Sequence, residues 1–152
     1  GSNSLFIGGT GSANELSDYE EGTWTATLTT TGTAFTTTSN TATCHYTKIG
    51  RMVTVTVDIA IASPSSGTGD LTLTGLPFTY TETSNLSFAV RSGRIDLLSD
   101  GNGMNAKLSQ NNTQFSFSIN RNAATDISVT AADLNGNATP FMNFVAVYYT
   151  TA

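Results

Sequence analysis

The chain has 152 residues and a mass of 15.9 kDa, the size of one domain and enough to bury a core without a disulfide or metal staple. Six Lys+Arg stand against eleven Asp+Glu, a formal charge of −5, so no basic stripe exists to release counterions and no nucleic-acid partner is expected. Charged residues make up only 11%, against about 25% in an average globular protein, which leaves a polar surface built from Thr, Ser, Asn and Gly.

In chain order, Gly1-Ser2 reads as an expression scar, and 1–17, Gly- and Ser-rich around Leu5-Phe6-Ile7, as a linker or shaft end preceding a β domain over 18–152. A strand is predicted over 23–28, where Trp24, Ala26 and Leu28 share one face. The clearest signal is 51–62: Val53, Val55, Val57, Ile59 and Ile61 alternate with Thr54, Thr56, Asp58 and Ala60, the pattern of a half-buried antiparallel strand. Gly50-Arg51 joins it to Tyr46-Thr47-Lys48-Ile49 at the spacing of a two-residue hairpin. A loop over 63–70 follows, then strands over 71–74, 86–91, 94–98, 104–109, 114–120, 127–130 and 141–149. Turns are expected at Gly75-Leu76-Pro77, Ser92-Gly93, Asp100 to Gly103, Asn111-Asn112 and Asn135-Gly136. The stretch 123–134 favours strand over helix. Short strands at intervals of about ten residues predict an all-β, antiparallel β-sandwich of jelly-roll type. The last strand is apolar on both parities, Phe141, Val145, Val147 and Tyr149 on one, Met142, Phe144, Ala146 and Tyr148 on the other. Such a strand is expected to be buried on both sides, either central and covered within one sandwich or with one face against a neighbouring subunit, with Phe144 and Tyr148 as the interface candidates.

Three ordered segments carry a resemblance. Glu15-Leu16-Ser17-Asp18-Tyr19-Glu20-Glu21-Gly22-Thr23-Trp24-Thr25-Ala26-Thr27-Leu28, Tyr46-Thr47-Lys48-Ile49-Gly50-Arg51-Met52-Val53, and Thr68-Gly69-Asp70-Leu71-Thr72-Leu73-Thr74-Gly75-Leu76-Pro77-Phe78 together resemble a run recurrent in bacteriophage and prophage tail-fibre-like proteins. The pattern departs at Ala26, where many relatives carry Pro, and it fades beyond about residue 80. The resemblance implies a virion appendage protein, a homotrimer whose terminal module binds a bacterial surface glycan or another host receptor. The motifs themselves read as structural.

Candidate chemistry is sparse. Glu20 and Glu21 are neighbours and point to opposite faces of an extended chain, whereas glycosidase carboxylates must flank one bond. Cys44-His45 diverge for the same reason, and a lone Cys44 allows neither an intrachain disulfide nor a Cys/His metal array. No cofactor, metal or catalytic residue is expected. The segment 100–105 echoes a calcium loop without its distal Glu and reads as a turn. No run approaches the roughly 18 apolar residues of a membrane helix, so no membrane insertion is expected. Sugar binding needs an aromatic platform beside amide, carboxylate or guanidinium groups, and turn residues supply candidates: Tyr80, Glu82, Arg91, Arg94, Asn111, Asn112 and Gln114. The leading expectation is thus a non-enzymatic, glycan-binding tip of a trimeric fibre. The alternatives are a structural trimerisation or capsid-decoration module without ligand, and a depolymerase with carboxylates paired across subunits.

Overall fold

The computed structural model describes residues 5–6, 8, 15–16, 18–36, 39–97, 101–122 and 124–151. Gly1-Ser2 and most of the expected linker lie outside these; within that stretch β1 (Leu5–Phe6) and β2 (Glu15–Leu16) pair antiparallel.

The remaining strands are β3 (Tyr19–Thr23), β4 (Thr27–Thr30), β5 (Ser39–Ile49), β6 (Met52–Ala62), β7 (Leu71–Thr74), β8 (Leu86–Gly93), β9 (Gly101–Leu108), β10 (Gln114–Arg121), β11 (Ile127–Ser128) and β12 (Phe141–Tyr149). All pairings are antiparallel, and they form one curled sheet in the order β3-β5-β6-β12-β8-β9-β10-β7-β4, with β11 on the flank of β10. The all-β expectation holds. The sheet folds over at β8, whose Arg91–Gly93 end pairs with β12 while Leu86–Val90 pairs with β9. Two layers result, and their inward rows make the core: Val53 to Ile61 of β6 and Met142, Phe144, Ala146 and Tyr148 of β12 meet Met104, Ala106 and Leu108 of β9, Phe115, Phe117 and Ile119 of β10, and Leu71 and Leu73 of β7. Phe144 joins the layers directly, standing edge-on to Phe115 at 5.1 Å and to Phe117 at 6.2 Å between centroids.

At the opposite side the layers are tied by the chain itself. The expected strand 23–28 is interrupted: β3 ends at Thr23, β4 starts at Thr27, and Trp24, Thr25 and Ala26 carry the chain from the first strand of the path to the last. The alternation nevertheless survives across the change of layer, with Trp24, Ala26 and Leu28 all buried. The Trp24 N–H still donates to Cys44 O at 3.1 Å, the final rung between β3 and β5.

Several local expectations are corrected. Ser92-Gly93 is not a turn but the end of β8, paired with Met142 and Phe141; the Phe141 ring occupies the space a Cβ on Gly93 would need. The described part of 94–98 is not a strand: Arg94 takes a φ of 57° and the chain bends away, while Leu98 lies outside the described residues. Gly101 to Gly103 begin β9 and do not form a turn; Asp100 lies outside the described residues. The strand at 127 stops after Ser128, because the Asp133 carboxylate accepts the Thr130 N–H at 2.7 Å and starts a 3-10 turn over Ala131–Asp133. Phe144 and Tyr148, the interface candidates, are buried in the chain's own core, and the strand is not covered on both sides: the outward parity carries Val145, Val147 and Tyr149, all exposed. Asn143, on that parity, is its polar marker. The 46–49 strand extends back to Ser39, and the Gly50-Arg51 hairpin is as expected, closing on Ile49 and Met52 with Gly50 at a φ of 57°.

Gly75 bears directly on the tie. It has a φ of 96°, and a Cβ there would overlap the Thr25 carbonyl in the middle of the crossing segment. Gly136 shares the positive φ, 80°, but has open space around it. Gly75→Ala is expected to cost about 2–3 kcal/mol in urea unfolding, and Gly136→Ala about 1 kcal/mol, the cost of the left-handed backbone alone. Equal losses would remove the contact with Thr25 as a determinant.

Candidate functional site

The arrangement best suited to a ligand is a shallow depression of about 390 Å³ at the end of β12, lined by Arg51, Tyr80, Glu82, Ser84, Leu86 and Tyr149. Its walls come from three places in the chain and are fixed by backbone bonds. The N–H of Thr150 donates to Arg51 O at 2.9 Å, and Arg51 Nε returns a bond to Thr150 O at 3.0 Å. The N–H of Thr81 donates to Tyr149 O at 3.1 Å, which docks the segment after Phe78 against the strand end.

Tyr80 is the floor. It is buried, its hydroxyl donates to Ser84 O, and its ring meets Tyr148 edge-on at 6.4 Å. Burial, and behind it the Glu82 carboxylate, raises its phenol pKa; Tyr148, buried more deeply and donating to Phe78 O at 3.0 Å, is pushed well above the ordinary tyrosine value. Both phenols stay neutral donors. The rim is different in kind: Tyr149 is 46% exposed, and beside it Arg51 pairs with Glu82, both side chains about half exposed. An exposed pair of this sort contributes little to stability, about 0–1 kcal/mol. It can therefore trade its mutual bond for bonds to a ligand at little cost. A ring face for stacking, a guanidinium and a carboxylate are the groups a pyranose requires.

The structure brings part of the expected set here and disperses the rest. Tyr80 and Glu82 belong to the depression, Tyr80 as floor and not as an exposed platform. Asn111 and Asn112 support it from behind, through Asn111 N to Tyr80 O at 2.7 Å and Tyr80 N to Asn112 O at 3.1 Å. Gln114 opens β10, its N–H on Asn112 Oδ1 at 3.2 Å. Arg91 lies five residues along β8 from Leu86, about 17 Å away, donating to Asn143 Oδ1 at 2.9 Å with its guanidinium 4.9 Å from the Phe141 ring centre. Arg94 is exposed beyond it. Arg51, Ser84 and Tyr149 escaped sequence reasoning; the signal for Tyr149 was its place on the Asn143 parity.

Glu20 and Glu21 diverge as expected, Glu20 accepting from Tyr46 and Glu21 from Tyr19, each at 2.5 Å. Cys44 is buried while His45 is exposed. Among the described residues, no group of three or more His, Cys, Asp or Glu could hold a metal ion, and no helix is long and apolar enough to cross a membrane.

The three motif segments converge at a second place, the corner where β3 lies on β5. Lys48 is buried, its Nζ 2.5 Å from Asp18 and 5.7 Å from the Phe78 ring centre. Tyr46 meets the same Phe78 ring edge-on at 5.5 Å. The Tyr46 ring also lies across Gly22, where a Cβ would come within 3.1 Å of it. These contacts clamp the edge strand.

No protein-family model matches the chain, and neither does any curated protein sequence. Among solved structures it is similar in fold to the Dettilon tailspike protein (gp208), with a TM-score of 0.69 and 18% identity over 86% of this chain. The chain spans 24% of the length of that tailspike; at this identity the likeness is one of fold.

Proposed function

We propose that this chain is a module of a phage tail appendage, a virion component that binds a bacterial surface glycan and acts as a homotrimer. The observation that carries the appendage reading is the fold shared with a tailspike segment over 86% of the chain. The glycan reading is supported by the exposed Tyr149 ring beside the half-exposed Arg51–Glu82 pair. The depression is shallow and offers a single stacking face, so one subunit binds weakly. Three copies on one fibre raise the effective affinity by avidity without any further contact.

A second reading, a structural module that closes or registers a fibre or decorates a capsid without ligand, is favoured by one observation: the outward side of β12 is apolar, as a surface meant for protein contact would be. Binding of the labelled chain to an array of bacterial surface polysaccharides and to whole cells separates the two. The glycan reading expects binding that falls about tenfold or more in Tyr149→Ala and Glu82→Ala, with the unfolding midpoint unchanged. Absence of binding to every glycan and cell leaves the structural reading.

A further inference from the structure

Six large hydrophobic side chains are exposed among the described residues, Tyr19, Ile49, Met52, Val145, Val147 and Tyr149, each between 37% and 57%. The strand register puts all six on one face. Tyr19 stands opposite Ile49, Ile49 opposite Met52, and Met52 opposite Tyr149, a row running across β3, β5, β6 and β12. Val147 and Val145 continue from Tyr149 along β12, opposite Thr54 and Thr56. Scattered apolar residues on a surface mean little, whereas a contiguous set marks a contact.

Among the described residues, the same stretch of backbone has no strand partner on one side. Pairing of β12 with β8 ends at Asn143↔Arg91, so Val145 and Val147 are paired only to β6. Side-chain exposure and an open strand flank thus coincide on the same residues.

We propose that this outward face of β3-β5-β6-β12 is where a second copy of the chain packs, centred on Val145 and Val147. The choice of occupant follows from charge and size. The chain carries −5, yet the charged groups in the facing register are few: Glu21, which holds the Tyr19 hydroxyl, and Asp58 and Arg91, which both bond Asn143. Two copies can therefore approach here without the repulsion that net charge imposes elsewhere, and a basic partner would find little to bind. The rest of the face is largely hydroxyl and aliphatic, Thr47, Thr54 and Thr56 beside the valines, with the exposed His45 imidazole opposite Thr56, a mixed surface of low charge that can meet a copy of itself. With three outward positions on β3 and five or more on each of β5, β6 and β12, the face spans roughly 600 Å² in projection, which after side-chain relief approaches the ~800 Å² per partner of a standard interface. Tyr149 sits where this face meets the rim of the depression, so the neighbouring copy would form one wall of that site.

The inference rests on the proposed function only for the expectation that copies associate, and the test separates the two. Light scattering on the 152-residue chain is expected to give a multiple of 15.9 kDa, reduced to one chain by Val145→Asp with Val147→Asp and unchanged by Ser116→Asp, an exposed position on the other layer. Circular dichroism checks that the strands persist. Should the double variant unfold, Val147→Thr and Ile49→Thr keep the β-branched shape, and each is expected to weaken association about tenfold. A monomeric wild type overturns both the inference and self-association; an oligomer indifferent to all of these changes overturns the inference and leaves self-association standing.

Discussion

Thr23 ends one edge of the sheet and Thr27 begins the other, and the three residues between them can span at most about 14 Å. That tether, Trp24-Thr25-Ala26, dictates the rest. A path of nine strands whose first and last members are tied so closely cannot lie flat. It must curl until its ends face each other at about the 10 Å that separates packed sheets. The crossing segment places Trp24 and Ala26 in the core, and its backbone runs so close to Gly75 that only a residue without a Cβ fits there. The clamp of Lys48, Asp18, Tyr46 and Phe78 holds β3 at the take-off point. The three motif segments therefore meet in one structural device.

Closure also decides which surfaces remain for function. With the inward rows of both layers packed, β12 has its Met142, Phe144, Ala146 and Tyr148 side committed to the core. Its other side is left outward, with Val145, Val147 and Tyr149 exposed. The end of the strand is fixed against the Gly50-Arg51 turn by the two bonds between Arg51 and Thr150, and this is what sets an exposed tyrosine next to a charged pair. The depression and the apolar face are thus neighbours that share Tyr149.

Elements governed by local periodicity were legible in the sequence. The strand β6, the Gly50-Arg51 hairpin and the extent of β12 follow from alternation and turn chemistry alone. The orientation of β12 is harder to read because both parities are apolar; Asn143 is the residue that distinguishes them, and Phe144 and Tyr148, interface candidates on apolarity alone, are core. Ser92-Gly93 has the composition of a turn, but Gly93 is there because the Phe141 ring from another strand lies over it, a reason invisible within its own segment. Tyr80 resembles an exposed loop aromatic until Ser84, Asn111, Asn112 and Tyr148 close around it. The Arg51–Glu82 pair joins residues from two separate turns, and only the docking of residue 81 on β12 brings them together.

The tether is open to a direct measurement because Trp24 is the chain's single tryptophan and lies within it. Urea unfolding followed by tryptophan fluorescence and, in parallel, by far-ultraviolet circular dichroism reads the crossing segment and the strands separately. If both layers depend on the tie, the two transitions coincide in midpoint and slope. A fluorescence transition completed at lower urea, with the strand signal intact, would mean that the layers hold together without it.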